Sequence, residues 1–160
     1  MATDAKIEFF DQPNDLRDRI STGATPSVDF DAADDAIREL GIEFVARLPE
    51  ELARIVSAFD DVKVASEDSA RRTILFRLVH DLKGQAGTFD YDLLTTIGDD
   101  LCRFLERPFD LTRVRLQVIG YHIDAMMLIM KERLTGTGGA QGEKMVGTLR
   151  RMVERVVEET

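Results

Sequence analysis

Several residue types are scarce in this chain, and each shortage removes a class of function. Among 160 residues there is one cysteine, Cys102. A lone thiol closes no internal disulfide, which suits a reducing, cytoplasmic compartment. Two histidines, His80 and His122, together with that cysteine are too few for a protein-built zinc site, so no resident metal is expected. Basic residues are outnumbered, 21 against 30 acidic, and the net charge is -9. That balance argues against general binding to nucleic acid or to an anionic membrane, both of which need a positive footprint, although a small local basic site stays compatible with it. No apolar run is long enough to span a bilayer, and no secretory signal is recognisable at the N-terminus. Neither a Gly-x-x-x-x-Gly-Lys-Ser/Thr loop nor a glycine-rich nucleotide loop after a strand is present, so nothing here splits ATP. Sustained two-residue alternation bounded by turns is also missing, and with it any strand signal.

What remains is helical periodicity in a chain of single-domain length, with enough apolar content for one core. Residues 1–28 carry turn and linker chemistry at Asp11-Gln12-Pro13-Asn14 and around Pro26, and read as a flexible tail with one apolar spot at Ile7, Phe9 and Phe10. The domain proper is expected over 29–160. Its first apolar series is Ile42, Val45, Leu48, Leu52, Ile55, Phe59, interrupted by Pro49 followed by two acids, which predicts two helices or one kinked helix. A second helix starts near Ser66-Glu67-Asp68 and carries Leu75, Leu78, Val79, Leu82 and Ala86. The third opens with Asp90 as cap, carries Leu94, Ile97, Leu101 and Leu105, and stops at Pro108. The fourth runs Val114, Val118, Tyr121, Ala125, Leu128. A glycine-rich loop then leads to an extra C-terminal helix over 141–158 with Met145, Leu149, Met152, Val153 and Val156. Short links favour antiparallel neighbours. The expected fold is all-α: an antiparallel up-down four-helix bundle with an additional C-terminal helix and a loose N-terminal segment.

The stretch His80-Asp81-Leu82-Lys83-Gly84-Gln85-Ala86-Gly87 breaks a local rule twice, because each mid-helix glycine costs about 1 kcal/mol relative to alanine. Local rules are broken most often where function demands it. At about 100° per residue, with Leu75 set to zero, Leu78, Val79, Leu82 and Ala86 fall within roughly 60° of it and mark the core direction. His80 falls about 140° away, Gly84 about 180° and Gly87 about 120°, with Thr73, Phe76 and Arg77 on the same side. Lys83 lies at the border of that face, close enough to reach back toward the histidine. The imidazole is therefore expected on the outer face beside a bare strip of helix, with Phe76 as the apolar part of a docking patch. Imidazole, with an ordinary pKa of about 6.5, is mostly uncharged and nucleophilic at neutral pH and can carry a phosphoryl group on nitrogen. A lysine nearby partly neutralises the arriving phosphate.

His80-Asp81-Leu82-Lys83-Gly84, with Ala86, Phe89 and later Leu101, Cys102 and Glu106, resembles the histidine-containing phosphotransfer (HPt) domain of two-component phosphorelays. The family pattern is His-x-Leu-Lys-Gly with small residues next, then a second helix ending near Cys-x-x-Leu-Glu, and the likeness runs from about residue 42 to 134. The resemblance implies a four-helix bundle whose His80 accepts a phosphoryl group from a receiver-domain aspartate and passes it to another receiver. It further implies that Lys83 assists electrostatically and that Gly84 lets the receiver approach. Partners would be receiver domains of response regulators or hybrid histidine kinases, with the magnesium ion on the receiver and no cofactor on this chain; a monomer is expected because one chain supplies four or five amphipathic helices of its own. Two positions depart from the pattern: Gln85 replaces a small residue, and Asp90 stands where glycine is common in the turn.

Other residues have plainer readings. Gly87 serves equally as a helix C-cap or as part of the docking strip. Arg77 either helps hold phosphate or steer an acidic receiver face or is an ordinary surface charge, and Arg103 and Arg107 form a basic stripe that either reaches the docking face or is simply solvated. His122 reads as structural, Cys102 as a small packing residue, and Met126, Met127 and Met130 as core or inter-helix filler. Two other functions stay open: an adaptor bundle that regulates a receiver or kinase without being phosphorylated, and the dimerisation hairpin of a histidine kinase, which would form a tight dimer.

Overall fold

In a computed structural model that describes residues 30–158, five α-helices follow one another: α1 (Phe30–Val64), α2 (Ser69–Ala86), α3 (Asp92–Leu105), α4 (Arg113–Glu132) and α5 (Gly139–Glu158). A short 3-10 turn, Gly87–Phe89, follows α2, and no strand occurs among the described residues. The expected tail over 1–28 lies outside the described residues. The chain divides at Ala36 into two units. Residues 30–36, the described part of the first, are helical and exposed. The second unit holds the core and everything below. There α2 packs against α3, α3 against α4 and α5, and α4 against α5, which makes an all-α helical bundle.

Local chemistry accounts for the element boundaries. Asp68 caps α2, its Oδ1 accepting from the amides of Ala70 at 2.8 Å and Arg71 at 3.4 Å. Thr112 does the same for α4, accepting from the Arg115 amide. The expected cap of α3 is corrected. Asp90 has φ 62° in the left-handed region, and Tyr91 occupies the cap position without a side-chain bond. Aspartate tolerates that backbone, which is why it replaces the glycine usual in such turns. The orphan amide of Leu93 is satisfied instead by the Gly136 carbonyl at 2.8 Å, and the Gly136 amide returns a bond to the Asp90 carbonyl. The glycine-rich loop before α5 thereby stitches itself to the α2–α3 turn.

Pro49 does not divide α1, which is continuous across it. Pro49 and Val45, whose carbonyl loses its helical donor, are both exposed, so water can replace the missing bond. The predicted stripe holds from Leu48 onward, but Ile42 and Val45 are exposed and Phe44 is buried in their place. Phe44 stacks on Phe89 with ring centroids 5.1 Å apart and meets Tyr91 edge-on at 5.7 Å, contacts that no aliphatic neighbour could make. In α4 the stripe is rotated by about one residue. Val118 and Ala125 are inside as expected, whereas Val114, Tyr121 and Leu128 are exposed and Ile119, His122, Ile123, Met126 and Ile129 fill the core. Apolar residues lie on more than one side of this helix, so periodicity alone does not set its phase. Met126 is core, Met130 is partly buried, and Met127 is exposed rather than filler.

The link between α3 and α4 is held by Arg72 of α2. Its Nε donates to the Leu105 carbonyl at 2.6 Å and its Nη1 to that of Phe109 at 2.9 Å, while Nη2 reaches Arg107. A guanidinium thus satisfies carbonyls that the end of α3 leaves open. The Phe109 ring lies between Arg72 and Arg115, 5.3 Å and 4.3 Å from their guanidinium carbons.

His122 is fully buried, as a structural residue should be. Its Nδ1 lies 2.8 Å from the Val118 carbonyl, which places the proton on Nδ1, and Nε2 has no partner. Desolvation by burial holds this imidazole below its ordinary pKa. The folded state therefore binds this proton less readily than the unfolded chain does. Its contribution to stability is complete above the ordinary value of 6.5 and is lost as pH falls through the lowered one. A His122→Leu protein should keep its stability at pH 7 within about 1 kcal/mol, a volume-conserving change, and lose less than the parent between pH 7 and pH 5. Thermal unfolding across that range checks both.

Candidate functional site

His80 stands on the outer face of α2 with 56% of its side chain exposed. Its ring stacks on Phe76, one turn earlier, with centroids 5.8 Å apart and planes 29° from parallel. Phe76 is half-buried and packs against the core, so it is less a free patch than a floor under the imidazole. The Asp81 carboxylate is 3.7 Å from Nδ1. At that distance the two groups are not hydrogen-bonded, and the carboxylate is a loose electrostatic neighbour of the ring. Thr73 and Arg77 are exposed on the same helix, and the Thr73 hydroxyl donates to the Ser69 carbonyl of its own helix at 2.8 Å.

Three glycines line this region for three different reasons. A methyl group added at Gly98 of α3 would lie 2.8 Å from Lys83 Cβ, so α2 and α3 cross too closely there for any side chain. At Gly87 the added atom would meet the Thr95 hydroxyl at 3.3 Å. Gly87 does follow the last residue of α2, but with φ -64° it is right-handed, so helix termination alone does not require glycine here. At Gly84 an added atom would meet nothing within 4 Å. The chain's own packing has no need of a glycine at that exposed position.

Lys83 crosses to α3. Its Nζ donates to Asp99 Oδ1 at 2.7 Å, and the other Asp99 oxygen pairs with Arg103 one turn on. The direction expected from sequence, back along α2 toward His80, is not the resting one, because a carboxylate across the helix crossing is the nearer counter-charge. The hydrogen bond with Asp99 raises the Lys83 pKa, and the same bond lowers that of Asp99. Thr95 supports the crossing by donating to the Lys83 carbonyl at 3.2 Å. Beside this pair runs an open groove lined by Lys83, Gly84, Gly87, Thr95, Asp99 and, from α5, Arg150. Arg150 is fixed by a two-point contact with Asp100, at 2.7 Å and 3.2 Å. Cys102 is buried, and burial pushes its thiol up to about 11, consistent with packing rather than reactivity. Gln85 bonds weakly to the Asp81 carbonyl at 3.5 Å, and Arg107 is exposed.

Sequence reasoning passed over Gly98, Asp99 and Arg150. Gly98 carried a readable signal, a glycine inside a strongly apolar helical stripe, the same anomaly that marks Gly84. Asp99 carried a local signal only in its i, i+4 spacing to Arg103, whereas its Lys83 partner lies 16 residues away, and Arg150 carried none, its partner lying 50 residues away.

The Hpt domain family model matches residues 39–159. That is most of the chain, and the chain belongs to this family. No curated protein and no solved structure matches it. Hpt domains are phosphocarrier modules of two-component signalling rather than enzymes, and they work with receiver domains. Among the described residues no helix is long and apolar enough to cross a membrane.

The two interior glycines should respond oppositely to alanine. Gly98→Ala forces two helices apart and should cost about 1–3 kcal/mol, the usual range for overpacking. Gly84→Ala adds helix propensity in open space and should stabilise by about 0.5–1 kcal/mol. Urea unfolding of both variants measures the contrast.

Proposed function

We propose that this chain takes a phosphoryl group on His80 from the phosphorylated aspartate of a receiver domain and passes it to a second receiver. Gly84 carries the reading. A glycine in the last turn of α2 that the packing does not need, one turn from an exposed imidazole, is explained by a partner that must come close. In the transfer the Nε2 lone pair forms the N–P bond while the receiver's aspartyl O–P bond breaks. The released electron pair stays on the carboxylate oxygen, and the proton on Nδ1 stays where it is. Phe76 supports the ring, Lys83 supplies positive charge, and Gly84 with Gly87 makes room. Thr73 and Arg77 border the contact. The chain brings no cofactor, and the receiver brings the magnesium ion. Partners are receiver domains of response regulators or hybrid kinases. Neither nucleic acid nor membrane is a partner, and the chain acts as a cytoplasmic monomer.

Incubation with a phosphorylated receiver should place acid-labile, alkali-stable label on His80, and His80→Gln should abolish it. A bulky Gly84→Gln should slow labelling by the receiver at least tenfold while leaving labelling by phosphoramidate, a small donor, nearly unchanged. Label that persists in His80→Gln rejects the carrier role. Full signalling output from that variant would favour an adaptor that carries no phosphate.

A further inference from the structure

Lys83 and Arg77 each lie three residues from His80 on α2, and at rest Lys83 is committed elsewhere. Its ammonium bonds Asp99 Oδ1 at 2.7 Å, and Arg103 occupies Asp99 Oδ2. The neighbouring acid, Asp100, has its own cation in Arg150. Asp99 is shared by two cations, one on each oxygen. If Lys83 leaves, Asp99 keeps Arg103 and is not stranded. If Arg103 leaves, Asp99 depends on Lys83 alone. The ammonium has three donors and a flexible stem, and its Asp99 partner is a third exposed, so exchange between two anions is open to it.

We propose that Asp99 is a positioning residue that competes with the phosphoryl group at His80 for Lys83. Resting on the carrier reading above, this assigns Asp99 and Arg103 the task of setting how much of the Lys83 charge an incoming phosphate receives. The competition limits the electrostatic gain on phosphorylation, so the group is not trapped on His80. Arg103 moderates the competition by holding the second oxygen of Asp99.

Phosphoramidate is the probe, because it needs no receiver. The His80 Nε2 lone pair attacks phosphorus, the N–P bond of the donor breaks, and ammonia leaves with the electron pair. The product is the phosphoimidazole with its proton on Nδ1. Formation is followed by phosphorus NMR. Asp99→Asn should speed it about two- to fivefold, the range that a part-exposed ion pair carries. Arg103→Ala should slow it by a similar factor, since Asp99 then holds Lys83 alone. Both effects should shrink below about 1.5-fold when Lys83→Gln is added, the coupling that a double-mutant cycle detects. A merely structural Asp99 would give slower labelling on substitution and no dependence on Lys83. An Asp99→Asn protein that labels no faster than the parent, or one whose gain persists without Lys83, overturns the proposal. Should the unsubstituted chain take no label on His80, the carrier reading itself falls, and the two failures are thereby separated.

Discussion

The site depends on the close crossing of α2 and α3. At Gly98 the helices meet with no room for a methyl group, because Lys83 Cβ already occupies it. Such an approach fixes the rotation of α2 about its own axis. Leu75, Val79, Leu82 and Ala86 point inward, and His80 and Gly84 are thereby turned outward. The crossing also brings a lysine of one helix against a carboxylate of the other, so apolar packing and charge pairing act at the same place. The Thr95 hydroxyl, bonded to the Lys83 carbonyl, ties the same two turns together. An outer-face residue held this way is presented rigidly. That is what a group transfer between two macromolecules requires, since misplacement by a fraction of an ångström is costly there.

Around that crossing, the rest of the fold works as buttressing. Arg72 gathers the carbonyls at the end of α3, and Phe109 fills the space between two guanidinium groups. Gly136 joins the loop before α5 to the start of α3 through paired backbone bonds. The Arg150–Asp100 contact brings α5 alongside the groove next to Gly84. A helix that looks additional in the sequence therefore borders the surface where a partner would sit.

How much of this was readable depended on distance along the chain. The apolar phase of α3 was legible because it has one clear stripe, and that of α2 from the spacing of Leu75, Val79, Leu82 and Ala86 despite the exposed Ile74, from which the outward placement of His80 followed. The phase of α4 was misread because Val118 and Ala125 sit on the border of two apolar faces, and only neighbouring helices choose between them. The Phe44 position was missed because aromatic stacking on Phe89 and Tyr91, some 45 residues later, outweighs local spacing. Asp90 was read as a cap since aspartate commonly is one, yet the left-handed turn claimed it first. The ion pairs of Lys83 and Arg150 arise from tertiary proximity alone.

The charge arrangement bears on why a carrier would keep a carboxylate beside its phosphate site. A lone cation next to the histidine would favour the phosphorylated form by its full attraction, and a phosphate held too firmly does not move on. Uniform stabilisation of a bound state lowers its energy but deepens the well from which the next step starts. A lysine shared between Asp99 and an incoming phosphate avoids this, because part of its attraction is offset by the bond it must give up. The Lys83–Asp99–Arg103 group keeps a single net positive charge when His80 is bare. In a chain of net charge -9, approach by a partner is then governed by shape at Gly84 as much as by long-range attraction. In the proposed carrier, the glycines would decide whether a partner can reach the imidazole, and the Lys83–Asp99–Arg103 group would decide how readily the phosphate leaves it.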